Sequence, residues 1–397
     1  MKVKERRQSE YAPLQKCIEG WNSEDIERGR RAIAEGRVGV IILAGGQGSR
    51  FNPKEVKGCT AITFFQKKTL FQVVAERVLA ASKLAGRPLS VAFMTSPLNH
   101  SRIIDYFREN HFFGLNSNQL AFFPQSEREL LDENHKPFLS GPSTIAKGPD
   151  GNGALFECME SSGLWYRWKR DGIEAVQLIP IDNIQALPFD PIPIGVHFRK
   201  KVDATLLVAE KRDANEKMGV VIESKKKIAI VEYTELPQEQ KEAKDEKGFL
   251  YRYLNLGLII FSLDFMKKVA GKELPYHLAK KRSARFVDGH VTYPEEPFAH
   301  KYEKFIFDAF LFSTKVQPLL VDRAVFYAPL KNLVGEDSIE SVQAALLERD
   351  RQIFAEVTGV APPQGAHFEL SQEFYYPRAE FLKKWKGQLL PHEGYIE

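Results

Sequence analysis

The sequence predicts an α/β fold with a mostly parallel, doubly wound sheet. Val38 to Ala44 is a continuous β-branched and apolar run, which suits a strand buried on both faces of a parallel sheet. Apolar runs of strand length then alternate with segments of helical periodicity up to about residue 210. Such strand–helix–strand units connect by right-handed crossovers into one sheet with flanking helices.

The elements predicted up to residue 210 follow this alternation. Residues 1–37 are polar and predicted to be helical, with an apolar stripe at Tyr11, Leu14, Cys17 and Ile18. Thr69 to Leu84 is predicted to be a helix because Thr69 can cap it and Gln72 can complete a capping box. Further strands are predicted at Leu89–Thr95, Ala121–Phe123, Gln177–Ile181 and Ala204–Glu210, and further helices at about 96–110 and from about residue 152.

The strand–helix alternation of the sequence ends at about residue 215. The run MGVVIESKKKIAIVEYTEL alternates with turn residues and predicts an antiparallel hairpin. Asp337 is predicted to cap a helix that reaches about Val357, with Glu340 three residues later. We therefore expect an N-terminal helical segment (1–37), a main domain (38–335) and a small C-terminal module (336–397).

Composition and charge exclude several classes of protein. The formal net charge of +4 comes from 56 basic and 52 acidic residues, which leaves no basic excess for a dedicated nucleic-acid binder. Three scattered cysteines without a CxxC pair predict neither a disulfide framework nor a zinc site. The charged N-terminus has no apolar signal region, and the longest apolar runs are too short to span a bilayer. We expect a cytoplasmic protein without a membrane or nucleic-acid partner.

Three glycines follow the first predicted strand within four positions, at Gly45, Gly46 and Gly48. Glycines in this position let a nucleotide approach the main chain, whose N–H groups then face phosphate oxygens. The dinucleotide fingerprint GxGxxG fails because Phe51 stands at its last glycine, and no Gly-Lys-Ser/Thr completes a Walker loop. A tight turn with surface basic residues remains the alternative.

Basic residues just beyond the glycines favour a phosphate site over a simple turn. Arg50 and Lys57 supply the donors that a triphosphate requires in addition to backbone amides. Lys54 is an alternative to Lys57 in this role.

Residues 40–58 resemble the LxxGGxGTxLGxxxPKG signature of eukaryotic-type UDP-sugar pyrophosphorylases, especially the UDP-N-acetylglucosamine pyrophosphorylases. The resemblance continues in order through KTLFQVVAERV, FFPQ, GPDGNGALF, IDNI, MGVVI, VEYTEL, EKFIFDAF and PLKN, and it spans roughly residues 38–332. Each motif is weak alone, but their common order is specific. The resemblance implies a Rossmann-like nucleotidyltransferase (GT-A-like) fold with a mixed, mostly parallel sheet.

The reaction implied by the resemblance joins UTP and a sugar 1-phosphate into a UDP-sugar and pyrophosphate. The attacking phosphate is already anionic, so the chemistry requires no general base. Catalysis then consists of offsetting the repulsion between two anions, orienting them in line, and stabilising the leaving group.

The resemblance also implies roles for individual residues on the nucleotide side. The nucleoside would lie along the backbone of Leu43, Ala44, Gly45 and Gly46, with Gln125 reading a polar edge of the uracil and Gly151 allowing close packing of the base. Arg50 and Lys57 would hold the triphosphate. Asp182 would contact the phosphates through Mg²⁺, a hard cation that suits oxygen ligands. The alternatives are a loop position for Gln125 and a helix cap for Asp182, while Asn183 is predicted to be structural.

On the sugar side, Asn152, Glu232, Tyr233 and Asn255 match positions that contact the sugar in the family. Two lysines match phosphate-contacting positions: Lys304 as a catalytic residue and Lys331 beside the sugar. Phe305, Phe307 and Phe310 have helical spacing and are predicted to be core residues.

Three departures from the family pattern concern the glycine loop and the sugar site. Ser49 replaces a threonine, and FNPKEV replaces the usual spacer before Lys57 without changing its length. The family's NAGN segment reads NLGL, so Leu258 stands where a second asparagine is expected. We expect N-acetylglucosamine 1-phosphate as the substrate, with a UDP-glucose or broad-specificity pyrophosphorylase as the alternative. A UDP-sugar-binding protein without catalysis is the alternative of another class.

Overall fold

A mixed β-sheet runs through the centre of the protein. The computed structural model describes residues 11–14, 18, 20–46, 56–385, 387–388 and 393–397. Within them, the strands of the main sheet are β1 (Ala12–Pro13), β2 (Val38–Leu43), β3 (Val91–Thr95), β4 (Leu120–Pro124), β9 (Ala175–Pro180), β10 (Ala204–Glu210), β11 (Val220–Ser224), β12 (Lys227–Val231), β15 (Tyr253–Ser262) and β20 (Val316–Leu320). The predicted α/β class is confirmed.

Helices flank this sheet and short strand pairs extend from it. The helices are α1 (Ser23–Ala34), α2 (Leu70–Ala85), α3 (His100–Glu109), α4 (Leu155–Ser161), α5 (Leu164–Arg170), α6 (Pro191–Lys200), α7 (Gln238–Glu242), α8 (Leu263–Ala270), α9 (Arg323–Phe326), α10 (Ile339–Thr358) and α11 (Ala379–Trp385). The smaller pairs are β5 (Glu127–Glu129) with β8 (Lys147–Pro149), β6 (Leu139–Gly141) with β7 (Thr144–Ile145), β13 (Lys244–Asp245) with β14 (Gly248–Phe249), β16 (Tyr276–Lys281) with β19 (Ala299–Lys304), β17 (Arg285–Val287) with β18 (His290–Thr292), and β21 (His367–Leu370) with β22 (Glu393–Ile396). In the described part of the chain, no helix combines the length and the apolar composition needed to cross a membrane.

One half of the main sheet is parallel, as predicted. Strand β2 pairs in parallel with β3 and β9, and β3 pairs in parallel with β4. Val40 and Ile42 face one hydrophobic core while Ile41 faces the other, and all three are fully buried. Burial on both faces explains why this strand is apolar at every position.

The other half of the sheet contains antiparallel pairs. Strand β15 lies between β9 and β10 and is antiparallel to both, while β20 is parallel to β10. The predicted hairpin is confirmed as β11 and β12. The prediction lacked β15 and β20, because a short apolar run does not reveal which strands it pairs with.

The start of α2 confirms one half of the predicted capping box. The Thr69 hydroxyl accepts a hydrogen bond from the backbone N–H of Gln72 at 3.2 Å. The Gln72 amide does not return to the cap, because it donates to the Glu76 carboxylate at 2.9 Å. A single side-chain cap is sufficient to begin this helix.

The predicted cap of α10 was displaced by one residue. Ser338, not Asp337, caps this helix, in a reciprocal arrangement with Ser341. Asp337 has a φ of 58°, and its carbonyl accepts from the backbone N–H groups of Lys331 and Asn332. Asp337 therefore closes the turn that follows Lys331, which a local capping pattern does not show.

The N-terminal prediction was partly wrong. Among the described residues before β2, α1 begins at Ser23, whereas Ala12 and Pro13 form a strand that pairs with β11. Cys17 of the predicted apolar stripe lies outside the described residues.

The segment from α10 to β22 packs against α2 and shares its hydrophobic core. A buried polar contact joins the two regions, because the Arg77 guanidinium of α2 donates to Gln372 at 2.7 Å. Within the C-terminal segment, the Tyr375 hydroxyl donates to Asp350 at 2.7 Å. The boundary at residue 336 stays a prediction.

Candidate active site

A cavity of about 330 Å³ opens at the carboxyl ends of the parallel strands. It is lined by Leu43, Gly45, Gly46, Lys57, Met94, Gln125, Pro149, Gly151, Asn152, Pro180, Ile181, Asp182, Lys281, Lys301, Glu303 and Phe305. Residues that end or directly follow β2, β3, β4 and β9, together with Lys57, supply one wall, which we call the sheet-edge wall. Ligands of open α/β sheets collect at this edge because the loops leaving parallel strands meet there.

The two described glycines of the loop have different reasons to lack a side chain. A Cβ on Gly45 would lie 2.3 Å from Gln125 Nε2 and 2.9 Å from the Thr95 carbonyl, so packing excludes it. Among the described residues, no atom lies within 4 Å of the position that a Cβ on Gly46 would take. Gly46 also lines the cavity. Ala44 is buried behind them, and Arg50 and Lys54 lie outside the described residues.

Gln125 is fixed with one amide oxygen left for a ligand. It is 5% exposed, its backbone N–H donates to the Thr95 carbonyl at 2.9 Å, and its Nε2 donates to the Gly45 carbonyl at 3.2 Å. No described residue donates to its Oε1. Because the bond from Nε2 to Gly45 fixes the orientation of the amide, Oε1 is available as an acceptor for a ligand.

Gly151 and Asn152 are held in place by the segment that follows β19. Gly151 has a φ of 94°, and a Cβ there would lie 2.3 Å from the Lys304 carbonyl. The Asn152 Oδ1 accepts from the backbone N–H of Ile306 at 2.9 Å, so its amide nitrogen is the group it can offer to a ligand. Packing within the chain is therefore sufficient to require glycine at position 151.

Lys57 and Asp182 form a charged pair on the sheet-edge wall. Lys57 Nζ lies 3.6 Å from Asp182 Oδ2 and donates to the Leu330 carbonyl at 2.9 Å. The backbone N–H of Leu330 donates in turn to the Asp182 carbonyl at 2.9 Å. These contacts join three segments that are distant in sequence. Both side chains stay accessible, at 15% for Lys57 and 24% for Asp182.

Asn183, the neighbour of Asp182, has a structural role, as predicted. It is buried, its Nδ2 donates to the Phe326 carbonyl at 2.9 Å, and its Oδ1 accepts from the Ala328 backbone at 3.0 Å. These bonds hold the segment that leads to Lys331 beside Asp182.

Lys331 lies behind the cavity wall and is not among the lining residues. Its ammonium donates to the Tyr327 hydroxyl at 2.7 Å. Burial disfavours the charged form, but the charges of Tyr327 and Asp182 and the bond to Tyr327 outweigh it and raise the pKa of Lys331. Lys331 is thus a fixed cation close to Asp182.

Lys304 is held away from the cavity by two carboxylates. Its ammonium lies 3.0 Å from both carboxylate oxygens of Glu157 and 3.5 Å from Asp150. Burial opposes the charge of this lysine, but the bond to Glu157 and the charges of Asp150 and Glu157 outweigh it and raise its pKa. The structure therefore does not bring the Lys304 ammonium to the lining of the cavity.

Glu232, Tyr233 and Asn255 lie outside the cavity lining as well. The Asn255 backbone donates to the Gly219 carbonyl at 2.8 Å, and a Cβ on Gly219 would lie 3.5 Å from Glu232 Oε1. Glu232 and Asn255 thus approach each other around Gly219.

A bulge in β15 brings this region to the edge of the cavity. The pairing with β10 shifts between Asn255 and Ile259, and Gly257 within the bulge has a φ of 73°. A Cβ on Gly257 would lie 3.6 Å from the ring of Pro180, which lines the cavity. Leu258, at the position of the family's second asparagine, is 4% exposed and belongs to the core.

Sequence reasoning missed a second wall of the cavity, which Lys281, Lys301, Glu303 and Phe305 supply. We call it the hairpin wall, because β16 and β19 carry its charged residues. Positions 301, 303 and 305 alternate, so the period of a strand was the available signal. Phe305 was predicted to be core and instead lines the cavity, whereas the core prediction is confirmed for Phe307 and Phe310.

The chain resembles known proteins over most of its length. The family described as UTP–glucose-1-phosphate uridylyltransferase matches residues 2–359. The UDP-N-acetylglucosamine pyrophosphorylase of Saccharomyces cerevisiae is 33% identical over 384 residues, which cover 93% of this chain and 80% of the yeast protein.

Solved structures resemble this fold as a whole. A protein of Entamoeba histolytica, provisionally named UDP-N-acetylglucosamine pyrophosphorylase, superposes with a TM-score of 0.84 at 28% identity, covering 96% of this chain and 98% of that one. The inhibitor-bound Trypanosoma brucei UDP-N-acetylglucosamine pyrophosphorylase gives 0.83 at 24% identity, covering 98% and 86%, and shows the shared fold. The chain therefore belongs to the UTP–glucose-1-phosphate uridylyltransferase family, the UDP-sugar pyrophosphorylases that its motifs resemble.

Proposed function

We propose that the protein is a uridylyltransferase that makes a UDP-sugar and pyrophosphate from UTP and a sugar 1-phosphate, with N-acetylglucosamine 1-phosphate as its sugar substrate. The observation that carries this proposal is one cavity that gathers the Gly46 backbone, the Gln125 acceptor and the Lys57–Asp182 pair at the edge of the sheet. The relatives named as UDP-N-acetylglucosamine pyrophosphorylases support the choice of sugar.

In the proposed reaction, an oxygen of the sugar phosphate attacks the α-phosphorus of UTP. The new P–O bond forms as the bond to the β-phosphate breaks, and pyrophosphate leaves with that electron pair. The nucleophile is already an anion, so no side chain has to remove a proton. The protein therefore contributes orientation and positive charge, which act most strongly in a partly enclosed site.

The sheet-edge wall carries these contributions. Lys57 would bind the phosphates, since its flexible ammonium lies at the cavity surface and its pairing with Asp182 is long, at 3.6 Å. Arg50, seven residues earlier in the sequence, is proposed to assist the leaving pyrophosphate. The nucleoside would lie along Leu43–Gly46, with Gln125 and Gly151 at the base.

The sugar side is proposed to use Asn152 directly, through its amide nitrogen. Glu232, Tyr233 and Asn255 would join it around the bulge in β15. The two lysines behind the walls would act as fixed charges, Lys331 through its position beside Asp182 and Lys304 through the segment that it anchors at Asp150.

Mg²⁺ is the proposed cofactor, and the donor set fits it. Asp182 is a carboxylate at the cavity surface, and Mg²⁺ is commonly bound by one or two carboxylates together with substrate phosphates. No cluster of three metal-ligating side chains occurs in the described part of the chain, so the phosphates would complete the coordination. When bound, the ion would neutralise phosphate charge, while Asp182 would hold it at the sheet edge.

A UDP-glucose or broad-specificity pyrophosphorylase is the second candidate. The burial of Leu258 favours it, because an apolar side chain replaces an amide that the family uses near the sugar. A UDP-sugar-binding protein without catalysis requires fewer cations than Lys57, Lys304 and Lys331 supply. A cytoplasmic location is proposed from the cysteine pattern.

Pyrophosphate release tests the proposal. The purified full chain, with UTP and Mg²⁺, is expected to release pyrophosphate most efficiently with N-acetylglucosamine 1-phosphate. A higher kcat/KM with glucose 1-phosphate would select the second candidate. The absence of pyrophosphate with every common hexose 1-phosphate would overturn the enzymatic proposal.

A further inference from the structure

The hairpin wall carries a buried lysine that lies outside the motifs quoted in the sequence analysis. Lys301 lines the cavity although its side chain is only 5% exposed, and its Nζ lies 2.5 Å from Glu303 Oε1. Burial and the neighbouring Lys281 both lower the pKa of Lys301. Because Lys301 is buried and bonded to Glu303, its ammonium points in a fixed direction. A fixed donor suits a hydrogen bond to one specific ligand atom.

Backbone pairing places Glu303, the hydrogen-bond partner of Lys301, across Gly151 from Gln125. The Asp150 N–H donates to the Ser126 carbonyl at 2.9 Å, and the Lys304 N–H donates to the Asp150 carbonyl at 2.7 Å. The three segments therefore lie side by side, and paired segments are about 4.8 Å apart. The chain around Gln125 and the chain around Glu303 thus flank Gly151 at a separation of roughly 10 Å.

The two sides of this end offer complementary groups. Gln125 presents Oε1, an acceptor, because its Nε2 is bonded to Gly45. Lys301 has only donors, and Glu303 directs its ammonium. Gly151 lies between them, and the Lys304 carbonyl fills the direction that a side chain at Gly151 would take.

We propose that Lys301 donates a hydrogen bond to a carbonyl oxygen of the pyrimidine and, together with Gln125 Oε1, makes the cavity select uracil over cytosine. This rests on the proposed function, which places the base at Gly151. Uracil has a carbonyl at C4 and an N–H at N3, which match a donor and an acceptor. Cytosine has an amino group at C4 and a bare N3, so both contacts become repulsive.

An alternative role for Lys281 and Lys301 is to bind an anion. Two neighbouring ammonium groups attract phosphate as well as a carbonyl. Glu303 occupies Lys301 directly, however, and a carboxylate at 2.5 Å repels a phosphate from the same position. The geometry therefore favours the neutral base over a phosphate group.

The experiment compares Lys301→Met with the parent chain, using UTP and CTP as substrates and UDP and CDP as ligands in calorimetry. The preference for uridine nucleotides is expected to fall by about tenfold to a hundredfold, the weight of one hydrogen bond to a charged group. Lys301→Gln, which offers both a donor and an acceptor, is expected to lower the preference too, whereas Lys301→Arg retains most of it. These two variants keep the test open if Lys301→Met does not fold.

Lys280→Met is the matched control. Lys280 neighbours Lys281 on the same strand, is exposed and lies on the opposite face of the hairpin, so its loss is expected to leave the preference unchanged. An equal loss for uridine and cytidine nucleotides in Lys301→Met would assign the lysine to phosphate and overturn the inference. An unchanged preference would also overturn it.

The outcomes separate this inference from the proposed function. If the parent releases no pyrophosphate but binds UDP better than CDP, the catalytic proposal fails and the calorimetric arm still tests Lys301. If the parent turns over UTP and the variants keep its preference, the function stands and the inference fails.

Discussion

The two walls of the cavity differ in what their charged groups are bound to. On the sheet-edge wall, Lys57 and Asp182 are accessible and separated by 3.6 Å. On the hairpin wall, Lys301 is buried and held by Glu303 at 2.5 Å. A loosely paired lysine can leave its carboxylate partner and bind a phosphate. A tightly paired lysine stays with its partner and contributes a hydrogen bond in a fixed direction. This difference is the basis for proposing that the first wall serves the chemistry and the second wall selects the base.

The largest expected effect comes from Lys57→Ala on the sheet-edge wall. Loss of an ammonium that binds phosphate charge is expected to lower kcat by about a thousandfold, the upper range for one positioned donor. Steady-state kinetics of pyrophosphate release measures it, with Lys280→Ala as the control for a surface lysine. Near-normal turnover would show that another cation binds the phosphates. The sheet-edge wall would then no longer differ from the hairpin wall in its contribution to catalysis.

Asp182→Asn is expected to have the next largest effect. An amide binds Mg²⁺ more weakly than a carboxylate, so activity at limiting Mg²⁺ is expected to fall by roughly a hundredfold. A titration of activity against Mg²⁺ for parent and variant measures the change. Parent-like activity at limiting Mg²⁺ would show that Asp182 does not hold the ion.

Phe305→Leu tests whether the hairpin wall contributes to substrate binding and not to the chemical step. The change keeps an apolar side chain but removes the aromatic face, so KM is expected to rise by about threefold to tenfold with little change in kcat. Phe312→Leu, at the end of the 3₁₀-helix (Ile306–Phe312) that follows Phe305 and outside the cavity lining, is the matched control. A fall in kcat with unchanged KM would place Phe305 in the chemistry instead.

Asp350→Asn changes a buried carboxyl group that lies outside both walls of the cavity. This substitution is expected to leave activity unchanged. Burial raises the pKa of Asp350 to about 7, although bonds from Tyr375 and the Leu370 backbone oppose the shift. Between pH 4 and pH 7 the unfolded chain loses this proton while the folded protein retains it, so the parent loses stability as pH rises.

The contribution of Asp350 to this loss is on the order of 4 kcal/mol across the whole interval. Urea unfolding at pH 5 and pH 8 measures it. The free energy of unfolding is expected to fall less with rising pH in the variant than in the parent. Equal slopes for the two proteins would show that Asp350 does not titrate in this range.

Local patterns were sufficient for the elements that carry the sheet-edge wall. The β-branched run of β2 and the Thr69 cap depend on near neighbours in sequence, and both appear where they were predicted. The same reasoning misplaced the cap of α10, because Asp337 makes its turn with Lys331 and Asn332. Gln125 followed from a motif, but its free oxygen follows from its contact with Gly45.

The sequence by itself determined the fold class and the family, because residue spacing and ordered motifs encode them directly. Tertiary structure alone decided that Lys304 turns to Glu157 and Asp150, that β15 enters the sheet antiparallel, and that Lys301, Glu303 and Phe305 face the cavity. These outcomes depend on pairing between segments far apart in the chain, and a strand's sequence specifies its two faces but not which of them will meet a ligand.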